Sequence, residues 1–158
     1  MNPSDVRLAH FLIVEDDDDH AALLLHMLAD NHVANSVGRA RDGDEALRYV
    51  RRQGPFSHAP RPDLILLDLK LPRLGGLEVL AQLKADPILR PIPVVMLTTC
   101  AGDADRRTAY GLHANSYLVK PAEFEGFNEL ARILGLYWSV WNVPPPTDDQ
   151  PLSAAAAR

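Results

Sequence analysis

Residues 63–76 read Asp-Leu-Ile-Leu-Leu-Asp-Leu-Lys-Leu-Pro-Arg-Leu-Gly-Gly, an apolar run that stops at an acid and continues into a tight loop. Four consecutive apolar residues favour a strand buried on both faces, and such strands belong to parallel sheets covered by helices. The proline and the two glycines after the acid, Asp68, are typical of a turn. This stretch therefore predicts a buried strand that delivers a carboxylate to the edge of a sheet.

The same pattern recurs along the chain. The other apolar runs lie at residues 11–14, 33–37, 93–97 and 117–119, the second being the weakest. Segments with apolar residues at helical spacing separate these runs, so a strand followed by a helix occurs five times. This alternating order predicts an α/β fold in which a parallel sheet lies between two layers of helices.

Polar side chains stand at the ends of four of the five predicted strands, where ligands of such sheets bind. They are Glu15 and Asp16, Asp68, Thr98 and Lys120. Carboxylates about 4 Å apart repel by about 4 kcal/mol at an effective dielectric constant near 20, and a divalent cation relieves this repulsion. Oxygen ligands suit Mg²⁺, and a carboxylate beside it can become phosphorylated, with the threonine and the lysine binding the phosphoryl oxygens.

Each of these residues also has a simpler interpretation. The acids at 15–19 suit a helix N-terminus, where negative charge is favourable. Asp68 would serve as an ordinary turn residue, and Thr98 as a cap for the turn that follows it. Order, spacing and strand-end placement together favour one shared pocket.

The motifs that surround these residues resemble the response regulator receiver family over about residues 8–136. They are Phe-Leu-Ile-Val-Glu-Asp-Asp at 11–17, the stretch at 63–76, Pro-Val-Val-Met-Leu-Thr-Thr at 93–99 and Tyr-Leu-Val-Lys-Pro at 117–121. The resemblance implies a flavodoxin-like fold, a doubly wound five-stranded parallel sheet of order 2-1-3-4-5 with helices on both faces. It also implies a signalling protein rather than an enzyme that turns over substrates.

The resemblance implies roles for the acidic residues. Asp68 is expected to be the phosphoacceptor. Asp16 and Asp68 are expected to bind Mg²⁺ directly, together with the backbone carbonyl of Lys70. Glu15 is expected to act on the metal through water, and it replaces the aspartate that is common in the family.

The resemblance also implies the parts of a switch. Thr98 is expected to contact the phosphoryl group and to move with it, and the rotamer of Tyr117 is expected to follow. Lys120 is expected to pair with the phosphate. The bond between Lys120 and Pro121 is expected to be cis, which for proline costs about 0.5–1 kcal/mol relative to trans.

Shorter motifs resemble one subgroup, the stand-alone regulators of bacterial phytochrome histidine kinases. They are Gly-Pro-Phe at 54–56, Arg-Pro-Asp at 61–63, Leu-Pro-Arg at 71–73 and Tyr-Trp-Ser-Val-Trp-Asn-Val-Pro at 137–144. The subgroup implies that a sensor histidine kinase, here a light-sensing phytochrome, is the upstream partner.

The aromatic segment at the end of the last helix has two interpretations. Leu134, Tyr137, Trp138 and Trp141 would either fold back on the core or form a homodimer surface. We favour the dimer, because five strands and five helices already complete a core and the resemblance implies dimers built from the fourth and fifth helices.

Composition limits the remaining choices. The chain has 158 residues and a net charge of −5, which predicts one receiver domain at 6–143 and argues against nucleic-acid binding. The Pro-rich and Ala-rich residues 144–158 are predicted to be a disordered tail without an output domain. A single cysteine, no signal peptide and no apolar run of roughly 20 residues predict a cytoplasmic protein that does not enter the membrane.

Two other functions remain open from the residues. Asp16 and Asp18 have the Asp-x-Asp spacing of haloacid-dehalogenase-like phosphohydrolases, although His20 departs from that pattern. A receiver fold that only binds partners without phosphorylation is the second alternative, and the complete set of strand-end residues argues against it.

Overall fold

The computed structural model describes residues 9–30, 36–99 and 101–145, in which strands and helices alternate as predicted. The strands are His10–Val14 (β1), Ser36–Ala40 (β2), Leu64–Leu67 (β3), Val94–Thr98 (β4) and Ser116–Val119 (β5). The α-helices are Asp18–Asp30 (α1), Gly43–Val50 (α2), Gly76–Ala85 (α3), Asp103–Gly111 (α4) and Phe124–Leu136 (α5). A 3₁₀ turn at Gly54–Phe56 precedes β3, and a π-helical turn at Tyr137–Trp141 extends α5.

The strands form one parallel sheet in the order β2-β1-β3-β4-β5, which confirms the predicted topology. Successive side chains of a strand lie on opposite faces. Phe11 and Ile13 therefore pack in a cluster with α1 and α5, whereas Leu12 and Val14 pack with α2 and α3. Burial on both faces explains why the sequences of β1, β3 and β4 are almost continuously apolar.

Parts of three sequence predictions lie outside the described residues. These parts are residues 33–35 of the weak second strand, residues 6–8 of the predicted domain and residues 146–158 of the predicted tail. Pro144 and Pro145 are described, and they line a small cleft with Pro93 just before β4. Among the helices of the described ranges, none combines the length and the apolar character that a bilayer crossing requires.

The bond between Lys120 and Pro121 is trans, as are all peptide bonds of the described residues, so the predicted cis bond was wrong. Trans is the lower-energy isomer of an X-Pro bond. Here the Lys120 backbone N–H donates to the Thr98 carbonyl at 2.8 Å. The Pro121 ring lies against Gly126 of α5, where an added Cβ would come within 3.0 Å of it.

The aromatic segment divides between core and surface. Leu134 is only 6 % exposed and belongs to the cluster beneath α1 and α5, so its assignment to a surface was wrong. Trp138 packs partly against the same cluster. Tyr137 and Trp141 are 52 % and 76 % exposed. The apolar face of α5 packs against the sheet and includes Leu134. The π-helical turn that follows exposes the side chains of Tyr137 and Trp141.

A polar network lies at the amino-terminal end of β1, opposite to the end of the sheet that carries the predicted site. The buried His10 ring bonds the Tyr49 hydroxyl at 2.7 Å through Nε2 and the Ser36 hydroxyl at 3.1 Å through Nδ1. Tyr49 reaches this ring across Gly38, where an added Cβ would lie 2.4 Å from the phenol oxygen. A buried imidazole with two hydroxyl partners is favoured in its neutral form.

We expect this network to make stability fall in mild acid. Burial lowers the pKa of His10 from its ordinary value of 6.5, although the Asp63 carboxylate opposes the shift. Below pH 6.5 the unfolded chain therefore gains a proton at this position more readily than the folded chain. The free energy of unfolding should be highest above pH 6.5 and decline as the pH falls toward the folded-state pKa. Urea unfolding at pH 7.5 and 5.5 measures this, and a His10→Leu variant should show a smaller difference between the two pH values.

Candidate functional site

The carboxyl ends of β1 and β3 lie side by side. In the sheet register Val14 is opposite Leu67, and the Asp68 N–H donates to the Val14 carbonyl at 3.1 Å. The next residues of the two strands, Glu15 and Asp68, therefore leave the sheet together. Parallel pairing places their side chains at one edge, as the sequence predicted.

Three carboxylates meet at this edge. Glu15, Asp16 and Asp68 each offer an oxygen, and these three oxygens lie within 4.8 Å of one another. Glu15 is buried, Asp68 is 9 % exposed, and Asp16 is open to solvent. The donor set consists of hard oxygen atoms with one exposed side, which suits Mg²⁺ because this ion retains several water ligands.

Lys120 brings a positive charge to the same pocket from the end of β5. Its ammonium forms an ion pair with Glu15 and lies 3.3 Å from Asp68 Oδ2, and its side chain is 3 % exposed. Burial raises the pKa of Glu15, and the nearby Asp68 carboxylate adds to the rise, while Lys120 opposes it. The ammonium therefore holds two repelling carboxylates together in a site with little solvent.

Thr98 and Tyr117 lie on the neighbouring strands. Thr98, the last residue of β4, is fully buried and stands opposite Val119 in the register with β5. Tyr117 is 9 % exposed and packs in the cluster beneath α2 and α3. Both residues therefore lie on the two neighbouring strands β4 and β5, and Lys120 follows directly after β5.

Lys70 follows Asp68 in the turn after β3. Its backbone N–H donates to Asp68 Oδ1 at 3.3 Å, and its side chain is exposed. This hydrogen bond orients the carboxylate of Asp68, while the other oxygen accepts from Lys120. The side chain of Asp68 is thus held from two sides.

The acids after Asp16 serve the start of α1. Asp17 Oδ1 accepts the N–H groups of Asp19 and His20 at 2.9 and 3.0 Å, which caps the helix and lowers the pKa of Asp17. Asp18 forms an ion pair with Arg39 at 2.7 Å. The interpretation of this run as a helix N-terminus therefore describes Asp17, whereas Glu15 and Asp16 join the carboxylate cluster.

The sequence reasoning missed Arg39. This residue of β2 donates to the Glu15 carbonyl from Nε and Nη2 at 3.2 and 3.0 Å, and Nη2 also lies 3.5 Å from the Asp16 carbonyl. Together with the ion pair to Asp18, these bonds fix the loop that carries the acids. A signal was present, because a run of five acids at 15–19 favours a nearby cation.

The comparison with known proteins identifies a family. A sequence model described as the response regulator receiver domain matches residues 11–132. The probable methanogenesis regulatory protein FilR2 of Methanothrix harundinacea is 42 % identical over 135 residues, which cover 85 % of this chain and 86 % of FilR2. The response regulator Rcp1 of Synechocystis is 37 % identical over 127 residues, covering 80 % of this chain and 86 % of Rcp1.

Solved structures of similar proteins agree with the topology. The phosphorylated cyanobacterial phytochrome response regulator RcpA superimposes with a TM-score of 0.85 at 38 % identity, covering 89 % of this chain and all of RcpA. The Mn²⁺-bound form of Rcp1 gives a TM-score of 0.83 at 35 % identity, covering 87 % of this chain and 99 % of that one. Both superpositions cover nearly nine-tenths of this chain.

Proposed function

Because the chain belongs to the response regulator receiver family, in which two-component systems phosphorylate an aspartate, we propose that Asp68 is the phosphoacceptor of this protein. The observation that carries the proposal is the placement of the Asp68 carboxylate. It lies beside two other carboxylates and 3.3 Å from a buried ammonium. This combination provides a nucleophile, a cation site and a counter-charge within one pocket.

In the proposed reaction an oxygen of Asp68 forms a bond to phosphorus while the bond between phosphorus and the donor breaks. The leaving group, an imidazole or an acetate, departs with the electron pair of that bond. Lys120 and Thr98 would bind the phosphoryl oxygens. Such reactions depend mainly on positioning and on neutralisation of charge, and this pocket offers both.

The donor set fits a divalent cation. Glu15, Asp16 and Asp68 would hold Mg²⁺, with the Lys70 carbonyl as a further ligand from the turn after β3. Bound Mg²⁺ would neutralise the carboxylates and the incoming phosphoryl group. The Mn²⁺-bound form of the similar response regulator Rcp1 supports binding of a divalent metal ion by this protein.

Phosphorylation with acetyl phosphate tests the proposal. The protein should acquire one phosphoryl group in the presence of Mg²⁺ and lose this ability when EDTA is added. Borohydride reduction converts an aspartyl phosphate to homoserine, and mass spectrometry should find this residue at position 68. Homoserine at position 16 instead would support the phosphohydrolase-like arrangement, and no modification would support a receiver fold that only binds partners.

We propose that a bacterial phytochrome histidine kinase supplies the phosphoryl group. Rcp1 and RcpA support this partner, since RcpA is a cyanobacterial phytochrome response regulator. Because histidine kinases take their phosphoryl group from ATP, we also place the protein in the cytoplasm. Phosphotransfer from phytochrome kinases should be faster than from kinases of other sensory classes. Equal rates would argue against the light-sensing partner.

Arg39 offers a separate test of the metal site. Replacing it with Gln should weaken Mg²⁺ binding about 10-fold or more, because the loop of Glu15 and Asp16 loses the hydrogen bonds that orient its metal ligands. Isothermal titration calorimetry with Mg²⁺ measures the change. Arg48→Gln is the matched control, since Arg48 pairs with the exposed Asp44 on α2 and should leave the affinity unchanged.

We further propose a homodimer through the exposed end of α5 and its π-helical turn. Ile133, Tyr137, Val140 and Trp141 are each at least half exposed there. Trp141→Ser should weaken dimerisation roughly 30-fold, since central aromatics at interfaces contribute about 2 kcal/mol or more. Sedimentation equilibrium measures the dissociation constant of the dimer. Ile88→Ser is the control, because it removes a similarly exposed apolar side chain outside this surface. A monomeric wild-type protein, with and without phosphorylation, would contradict the proposal.

A further inference from the structure

The ammonium of Lys120 has a third partner that the proposed function does not use. Besides Glu15 and Asp68, Nζ lies 3.3 Å from Nδ1 of His20. An ammonium has three protons to donate and accepts no hydrogen bond. Nδ1 of His20 must therefore be the acceptor, which places the ring proton on Nε2 and leaves the imidazole neutral. Three donors thus meet three acceptors around a cation whose side chain is 3 % exposed.

The position of His20 follows from the start of α1. It is the third residue of the helix, and its backbone N–H is held by Asp17 Oδ1 at 3.0 Å. This cap fixes the first turn of α1, so the position of the His20 ring does not depend on the carboxylate cluster of Glu15, Asp16 and Asp68. The side chain is half-buried, which limits the ways in which water could take its place.

We infer that His20 is a positioning residue for phosphoryl transfer to Asp68, acting through Lys120. This inference rests on the proposed function. The ammonium is equally distant, at 3.3 Å, from Asp68 Oδ2 and from His20 Nδ1. Without the histidine acceptor, the third N–H lacks a partner, and the ammonium shifts toward the carboxylates. A tighter pair with Asp68 withdraws charge from the attacking oxygen and covers it, so phosphorylation slows.

Two substitutions of similar size separate this role from a structural one. His20→Asn keeps an acceptor near the position of Nδ1, whereas His20→Leu removes it, and neither change touches the backbone cap. Phosphorylation of Asp68 by acetyl phosphate in saturating Mg²⁺ should be about tenfold slower in His20→Leu, the factor for one hydrogen bond to a charged group. His20→Asn should be within about twofold of the wild type. The Mg²⁺ affinity should stay unchanged in both variants, and the thermal midpoint should show that both remain folded.

The outcomes are distinct. If His20→Leu is phosphorylated as fast as the wild type, or if both variants are slowed equally, the inference is overturned while the function of Asp68 stands. If the wild type takes no phosphoryl group on Asp68, the proposed function itself fails. Long-range ¹⁵N–¹H NMR of the wild-type protein gives a second test. An Nε2–H tautomer at His20 supports the inference, and a proton on Nδ1 overturns it.

Discussion

Replacing Asp68 with Asn is expected to abolish phosphoryl uptake from acetyl phosphate, by roughly a thousandfold or more, because an amide oxygen is a far poorer nucleophile than a carboxylate. The fold should survive this change. An Asn oxygen can still accept the Lys70 N–H, and Lys120 keeps its ion pair with Glu15. Phosphate-affinity gels measure the loss, and the thermal midpoint reports whether the variant remains folded.

The control for this variant is Asp44→Asn. Asp44 is 60 % exposed at the start of α2 and pairs with Arg48 on the same helix, an interaction that contributes little to stability. The Asp44→Asn variant should be phosphorylated at the wild-type rate. Should Asp68→Asn retain the wild-type rate, another residue would be the acceptor, and the assignment of Asp68 would be wrong.

The sheet and most of its polar edge could be predicted because the signals are local. β1, β3 and β4 are mainly apolar runs, and each run ends at a polar residue of the candidate site, as at Asp68 and Thr98. Parallel order then brings these ends together without knowledge of any side-chain contact. The strand order itself came from the resemblance to receivers, and the structure confirmed it.

What the sequence did not predict depends on contacts between distant residues. Arg39 reaches the loop of Glu15 from the neighbouring strand β2, and His20 meets Lys120 over a separation of 100 residues. The pairing of His20 with Lys120 leaves no periodic or local signal, and the acidic run at 15–19 indicates a nearby cation without identifying Arg39. Leu134 was misplaced for a related reason: an apolar stripe does not reveal whether the sheet or a second chain covers a given position.

Lys120→Met is expected to lower the free energy of unfolding by about 3 kcal/mol or more, because it leaves the buried Glu15 carboxylate without its cation. It should also slow phosphorylation sharply, since the counter-charge for the phosphoryl group is lost. Urea unfolding measures the first effect. Lys70→Met removes an exposed lysine from the same edge and should change stability by less than about 0.5 kcal/mol.

The pH dependence identifies the cause of that loss. Burial already raises the pKa of Glu15, and removal of Lys120 takes away the group that opposes the rise. In Lys120→Met the folded chain should therefore hold a proton at Glu15 at a pH where the unfolded chain has lost it. The destabilisation should be full in alkaline solution and should diminish as the pH falls through the folded-state pKa toward 4.5.

Adding Glu15→Gln to Lys120→Met separates the two consequences of the loss. The double variant contains no buried unpaired charge at these positions, so it should regain most of the lost stability. It should remain slow in phosphorylation, because the ammonium is still missing. If Lys120→Met alone were as stable as the wild type at pH 8, the ion pair would contribute nothing to the stability of the fold, and the charge of Lys120 would serve the reaction only.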